Sequence, residues 1–425
     1  MNNQQRIRRI SELYEAALEL ELGRREEFLQ SECAGDSELK SEVESLLQAG
    51  NAASTEHLFP PLFREKEEPN LVGQQVGAYR ILQEIGSGGV GVVYLAERID
   101  GEFRRRLALK VVKRGMDTKD ILSRFLHERQ ILAGLEHPNI ARLYDGGVTG
   151  DGRPYFVMEY VEGMSLTEYS DRHRLTLEQR LLLFQKICSA VQYAHQNLVV
   201  HRDIKPGNIL VTAGGEVKLL DFGIAKLLRP EMAGYSKIPH TRTGYRLMTP
   251  EYAAPEQVRG EAVNTTTDIY ALGVLLYELL TGHRPLRLKS RFHKEVERII
   301  CEEEPTRPST VITRKEEIET VEGKQLITPE SVCEARKTKV DVLRRKLKGD
   351  LDNIVMMAMR KEPARRYSSV EQLSGDIDRY LKNMPVVAGK DTFAYRFAKF
   401  VRRHRSAVTS AVIVFLALIT GLGVA

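Results

Sequence analysis

His201-Arg202-Asp203-Ile204-Lys205-Pro206-Gly207-Asn208, with Asp221-Phe222-Gly223 beginning eighteen residues after Asp203, is the stretch on which the reading of this chain turns. Apolar runs flank it, Leu198-Val199-Val200 before and Ile209-Leu210-Val211 after, which predicts a polar loop between two short buried strands. Pro206 and Gly207 argue against a continuous helix through the loop. Moving a phosphoryl group between oxygens asks little covalent chemistry of a protein. It needs a carboxylate to take the hydroxyl proton, cations to spread the phosphate charge, and hard oxygen donors for a divalent ion. Asp203 suits the first role and Lys205 the second, while Asn208 and Asp221 are oxygen ligands of the kind magnesium takes. Any one of these alone reads as an ordinary loop residue, but the set in this order does not.

Upstream, Gly86, Gly88, Gly91 and Val93 form a GxGxxGxV string. The same glycine spacing opens a helix in dinucleotide-binding folds, but here Val92-Val93-Tyr94-Leu95 follows, which is strand-like, so the glycines join two strands. Such a hairpin can lay backbone N–H groups over a triphosphate. Nineteen residues past Gly91, Lys110 sits among the apolar residues of a third strand, with small Ala108 beside it. In the following helical pattern Ile121, Phe125, Leu132 and Leu135 share a face with Glu128, and a carboxylate in an apolar stripe is costly unless it meets a cation. Asp120 is placed to cap that helix. The stretches 137–147 and 155–163 read as two further strands.

These strings resemble the eukaryotic-type, or Hanks-type, serine/threonine protein kinase family. The resemblance implies an α+β, two-lobed fold, with a small β-rich lobe, a larger helical lobe, and ATP and Mg2+ as cofactors. It pairs Lys110 with Glu128 so that the lysine meets the α- and β-phosphates. It makes Asp203 and Lys205 catalytic, Asn208 and Asp221 the metal ligands, Met158 the back of the nucleotide pocket, and Glu159 to Val161 the hinge that meets adenine. Gly86, Gly88, Gly91, Val93 and Ala108 complete the nucleotide site on this reading. Ala254-Pro255-Glu256 resembles the motif that closes the activation loop, a long segment of the kind that is usually functional. Thr241 and Thr243 are its candidate phosphoacceptors, with Arg202 and Lys226 as cations for the added phosphate, and the family resemblance allows a homodimer for trans-autophosphorylation. Thr249 and Lys205 favour serine and threonine over tyrosine acceptors. By the same resemblance Asp268 anchors the catalytic loop and Arg366 pairs with Glu256. Residues 265–282 predict a helix buried all round, with Thr267 as its N-cap, and the charged stretch from Arg307 to Lys348 reads as a surface insertion. Its Thr328-Pro329-Glu330-Ser331 is a helix start.

The ends carry a second message. The first residues lack a signal peptide's apolar core, and residues 6 to about 57 show helical periodicity, with Leu39, Val43, Leu46 and Leu47 on one stripe and Asp36 or Ser37 as an N-cap. Ser406 to Ala425 is twenty residues without a charge, enough at ~1.5 Å each to cover a ~30 Å hydrocarbon core. Arg396, Lys399, Arg402, Arg403 and Arg405 precede it within ten residues, the positive-inside flank of a span. The expected organisation is a helical module (1–58), a linker (59–78), a kinase domain (79–383), a basic juxtamembrane segment (384–405) and a transmembrane helix (406–425). The chain then resembles bacterial membrane-anchored kinases, single-pass in the cytoplasmic membrane with the kinase on the cytoplasmic side. Its partners are protein substrates and the lipid bilayer.

Composition agrees. The net charge of +5, from 63 basic and 58 acidic residues, is concentrated beside the apolar run and argues against nucleic acid as a partner. Cys33, Cys188, Cys301 and Cys333 are scattered without metal or disulfide spacing. Two other readings of the fold are a non-catalytic scaffold and a small-molecule phosphotransferase. The first is expected to lack Lys110, Asp203 or Asp221, and the second the complete glycine loop together with the Ala-Pro-Glu motif; this chain has all of them.

Overall fold

The computed structural model describes residues 22–33, 36–50, 70–88, 91–100, 105–113, 132–222, 250–288, 293–320, 323–389 and 392–404, with a few isolated positions besides. Glu128, Lys226, Thr241, Thr243, Thr249 and most of 406–425 lie outside the described residues. The chain divides into two compact units, Met1–Asn70 and Leu71–Ala425.

In the first unit, α1 (Leu22–Glu32) and α2 (Ser37–Gly50) bury Leu29, Leu39 and Val43 together with Leu13, Ala17 and Cys33. Asp36 starts α2, its Oδ1 accepting the Leu39 amide at 2.9 Å, as the sequence pattern predicts.

The second unit opens with β1 (Gln75–Val76), β2 (Tyr79–Ser87), β3 (Gly91–Arg98), β4 (Arg106–Val112), β5 (Leu143–Val148) and β6 (Pro154–Glu159), an antiparallel sheet in the order β1-β2-β3-β4-β6-β5. Alternation along β4 sorts its side chains between two cores. Leu107, Leu109 and Val111 point to one face, with Tyr79, Ile81, Val92, Tyr94 and Val157. Ala108 and Val112 point to the other, with Phe156 and Met158, and join the core of the helical part. Lys110 falls by register on that second face, opposite Val93 on one side and Phe156 on the other.

After β7 (Gly163–Ser165) come α3 (Leu166–Arg172) and α4 (Leu177–Gln196), the latter started by a reciprocal cap between Thr176 and Gln179. The strands β8 (Ile209–Thr212) and β9 (Val217–Leu219) follow, joined to β7 in a small sheet. The strand expected over 198–200 is absent. Leu198 is 94% exposed at a φ of +60°, a turn conformation, and only Val199 of its two valines is fully buried.

The helical part then runs α5 (Pro255–Val258), α6 (Thr265–Thr281), α7 (His293–Glu302), α8 (Pro308–Val311), the hairpin β10 (Glu316–Thr320) and β11 (Gly323–Ile327), α9 (Pro329–Glu334), α10 (Val340–Leu347), α11 (Asp350–Ala358), α12 (Val370–Leu381) and α13 (Phe393–Arg403). α6 is buried on every side from Thr267 to Tyr277. Its N-cap is Asn264, whose side chain accepts the Thr266 amide at 2.9 Å, so Thr267 sits a turn inside the helix and not at its cap. Gly273 lets α11 approach, since a Cβ there would stand 2.8 Å from both Ala358 Cβ and Met359 Cγ.

The stretch 307–348 is not a surface insertion. Val311, Ile312, Val332, Cys333, Leu343 and Leu347 all belong to the main core, and buried Arg336 donates to Leu279 O, Leu280 O and Val332 O. Apart from buried Arg336 and Glu316, the charges described in it are exposed, which hides the inward stripe from a composition count. Thr328 does cap α9, accepting the Ser331 amide at 3.2 Å. Among the described residues no helix is long and apolar enough to cross a membrane.

Glu256 and Arg366 make the ion pair that the resemblance implies. Arg366 Nη1 and Nη2 meet Glu256 Oε1 and Oε2 at 2.7 and 2.8 Å, and the remaining guanidinium N–H groups reach Thr266 O, Lys361 O and Arg360 O. All five donors are used, so the buried charge is compensated. Burial works to raise the Glu256 carboxyl, but the Arg366 hydrogen bonds and charge hold it below the usual carboxylate range. Arg366→Met, which leaves Glu256 buried and unpaired, is expected to cost about 3–5 kcal/mol of unfolding free energy in a urea titration.

Candidate active site

One carboxylate sets the catalytic loop. Asp268, in the first turn of α6 and 1% exposed, accepts the His201 amide and His195 Nε2 on Oδ2, both at 2.7 Å, and the Arg202 amide on Oδ1 at 2.8 Å. Burial opposes its charge, but the His195 hydrogen bond, the neighbouring imidazoles and the His201 amide win, and the carboxyl stays below its ordinary range. Arg202 is held at a φ of +67°, a strained conformation for a side-chain-bearing residue. Its carbonyl accepts Gln257 Nε2 at 3.0 Å, and Gln257 Oε1 accepts the Ala254 amide at 3.1 Å, so α5 braces the same turn.

His201 carries the anchoring across to Asp221. Its Nδ1 accepts the Asp203 amide at 3.3 Å, which places the proton on Nε2, and Nε2 donates to Leu220 O at 2.9 Å. Burial lowers the pKa of this imidazole from its ordinary value. The Leu220 amide donates to Asn208 O at 2.8 Å, and the Phe222 ring lies 4.8 Å from the His201 ring. The two sequence strings are thus one bonded unit.

Within it, Asp203 Oδ2 lies 3.0 Å from Lys205 Nζ and 2.9 Å from Asn208 Nδ2, which also donates to Asp203 O at 2.8 Å. The carboxylate is therefore fixed as an acceptor with a cation at its shoulder. Lys110 Nζ reaches Asp221 Oδ2 at 2.8 Å, linking the sheet to the helical part. The resemblance pairs Lys110 with Glu128, which lies outside the described residues; the partner that the described residues give it is Asp221.

The donor set fits magnesium. Asp221 Oδ1 is buried with no hydrogen-bond partner among the described residues, an oxygen left for a cation. Asn208 spends its amide nitrogen on Asp203, so its oxygen is the atom for a metal. Two hard oxygen ligands suffice for an ion that keeps waters and takes its other ligands from phosphate.

The glycines divide by role. A Cβ on Gly91 would stand 2.2 Å from Val111 O, so that glycine serves the β3–β4 contact. Gly86 and Gly88 face open space, and the Gly88 amide closes the turn on Gly91 O at 3.0 Å. Among the described residues nothing lies within 4 Å of a Cβ placed on either of the first two, which leaves room for a phosphate to approach the backbone there. Ala108 and Met158 are paired neighbours on the sheet face that carries Lys110, and Val93 packs on the same core. Glu159 turns its carboxylate to Lys218 Nζ at 2.8 Å and to the Arg142 amide at 3.2 Å, so the side chain is engaged within the chain. Val161 follows where the chain has left the strand, half-buried.

Lys110, Asp203, Lys205, Asn208 and Asp221 thus come together from three separate stretches of chain. His195, Gln257 and Lys218 are supports that the motifs did not single out. Each is an ordinary polar residue in its own helix or strand, and only the fold gives it a partner.

Comparison with known proteins agrees with this geometry. Residues 79–375 match the protein kinase domain family. The serine/threonine-protein kinase PrkC of Bacillus subtilis is 36% identical over 312 residues, covering 72% of this chain and 41% of its own length. The serine/threonine-protein kinase PknA of Mycobacterium tuberculosis is 40% identical over 215 residues, covering 49% of this chain and 48% of its own length. This chain therefore spans less than half of either relative. The crystal structure of the M. tuberculosis PknI kinase domain superposes with a TM-score of 0.50 at 24% identity, covering 73% of this chain and 98% of that one, a likeness of fold alone.

Two outcomes follow from the buried anchors. Asp268→Asn keeps the shape but turns one of the two accepting oxygens into an NH2 that faces an N–H group, and a loop displaced by ~1 Å costs on the order of 100-fold in turnover, read as a fall in kcat with the KM for ATP little changed. Because the folded chain holds His201 below its ordinary 6.5, the unfolded chain binds more protons once the pH falls under that value. Stability from this group is complete above about pH 6.5 and falls by up to about 1.4 kcal/mol per pH unit below it, measurable by urea unfolding at a series of pH values.

Proposed function

Since the chain belongs to the protein kinase family, we propose that it is an active serine/threonine protein kinase, transferring the γ-phosphoryl group of ATP to protein hydroxyls at the inner face of a membrane. The observation that carries the catalytic part is the joined set of Lys110, Asp203, Lys205, Asn208 and Asp221, complete in identity and bonded as one unit.

Asp203 orients the acceptor hydroxyl and takes its proton as the oxygen attacks phosphorus. Lys205, at 3.0 Å from Asp203 Oδ2, stands where it can offset charge on the phosphoryl group in flight. Lys110 holds the α- and β-phosphates from the sheet side, and the open backbone of Gly86 and Gly88 covers them. Asp221 and Asn208 would hold magnesium, which supplies neutralisation of the β- and γ-oxygens when bound. Ala108, Val93 and Met158 form an apolar floor for the adenine, and Glu159 to Val161 its edge. The serine/threonine preference is supported by Lys205 two residues after Asp203, and by the names of PrkC and PknA.

Autophosphorylation falls on Thr241 or Thr243, between two copies of the chain. The membrane part is supported by Ser406 to Ala425, uncharged throughout, and by the five cations from Arg396 to Arg405. It makes the protein single-pass in the cytoplasmic membrane, with the kinase on the cytoplasmic side.

With labelled ATP and magnesium, Asp203→Asn and Lys110→Met in the full chain should each lower phosphate incorporation by about 10²–10⁴-fold, and peptide mapping of the parent should find Thr241 or Thr243 modified. Equal incorporation in all three proteins would sink the catalytic assignment.

A further inference from the structure

Helix α13 is held on one face and bare on the other. At about 100° per residue, Tyr395 and Lys399 share a face, and both go to Asp350. Tyr395 Oη donates to Asp350 Oδ1 at 2.9 Å, and Lys399 Nζ meets Asp350 Oδ2. The Val386 amide donates to Tyr395 Oη at 3.1 Å, and the amides of Val387 and Ala388 donate to the buried carboxylate of Asp376 at 2.7 and 2.9 Å. The segment 384–405, expected as a basic juxtamembrane segment, is therefore bonded to the helical core at Val387, Ala388, Tyr395 and Lys399 by two aspartates.

The opposite face carries Phe393, Phe397 and Phe400, spaced i, i+4, i+7 and exposed by 84, 57 and 49%. The rings of Phe393 and Phe397 stack with centroids 6.3 Å apart, and Phe400 lies 4.9 Å from His404 on the same stripe. Scattered exposed apolar residues need no explanation, but a continuous aromatic stripe does.

Charge and continuity say what covers it. From Thr392 to Ala425 there is no aspartate or glutamate, while Arg396, Lys399, Arg402, Arg403 and Arg405 fall within ten residues. Lys399 is held by Asp350 on the far face, but an aromatic stripe on a helix that carries the remaining cations suits acyl chains below and anionic headgroups above. The helix ends at Arg403, and only His404 and Arg405 separate it from the uncharged run that begins at Ser406. A surface that joins so directly to a bilayer span faces the leaflet that the span enters.

We propose that α13 lies in the plane of the anionic inner leaflet, with Phe393, Phe397 and Phe400 among the acyl chains and the kinase body docked above it through Asp350 and Asp376. This rests on the reading of Ser406 to Ala425 as a membrane span. The juxtamembrane segment is then a rigid mount and not a swinging tether.

The chain has no tryptophan, so Phe397→Trp gives the full-length protein a sole indole, and Phe415→Trp a separate reporter within the span. Both go into vesicles of phosphatidylglycerol and phosphatidylcholine brominated either near the glycerol or near the chain end. The F397W indole should be quenched about twofold by the shallow bromines, at the ~5–10 Å depth of an interfacial helix, and much less by the deep ones; the F415W indole should show the reverse. Quenching of F415W without F397W overturns the surface helix and leaves the span standing. A blue-shifted F397W emission that no bromine quenches means a second copy of the chain covers the stripe, which also overturns it. Equal quenching of F397W in purely zwitterionic vesicles removes the anionic surface from the proposal. If neither indole is quenched, the span and the surface helix fall together.

Discussion

The buried carboxylate of Asp268 is the constraint on which the site depends. It is taken out of water by α6, the central helix, and its charge survives there because an imidazole and two backbone amides satisfy it. Those same amides belong to the catalytic loop. The stability of the helical core and the geometry of Asp203 are therefore one problem with one solution. Arg202 can hold a left-handed backbone only because Asp268 from one side and Gln257 from the other leave it no alternative.

From that point the organisation spreads by hydrogen bonds, not by contact alone. His201, neutral in its burial, passes the loop's position to Leu220 and so to Asp221. Asp221 meets Lys110, which the alternation of β4 has delivered to the cleft side of the sheet. A shift of one residue in the β3–β4 register would turn Lys110 into the other core and Leu109 into the cleft. Sheet register and loop geometry are thus coupled through one ion pair. The Glu256–Arg366 pair performs a similar service lower down, fixing α5, and with it Gln257, against the start of α6 and the residues before α12.

Much of this was legible in the chain. Phosphoryl transfer needs particular residue types close together, so Asp203, Lys205, Asn208 and Asp221 stand out by identity and spacing. The strand glycines and Lys110 stand out because they break the local pattern. What misled was local reading of features settled by distant neighbours. Leu198-Val199-Val200 is β-branched enough for a strand, yet among the described residues no strand pairs with it, and the chain turns at Leu198 instead. The stretch 307–348 looks like a surface because short helices show their charges in sequence and their inward residues only in three dimensions.

The sequence by itself determined the chemistry, the order of the strands and helices that carry it, and the uncharged run that follows the last helix. These depend on residue type and short-range periodicity, which a linear reading contains. The tertiary structure alone decided which groups satisfy one another: His195 and two amides on Asp268, Asp221 on Lys110, Lys218 on Glu159, and Asp350 and Asp376 under α13 and the residues before it. A buried polar atom takes whichever partner the packing brings within hydrogen-bond reach. For these pairs the separation along the chain ran from eleven to more than a hundred residues, with no periodic signal to mark it.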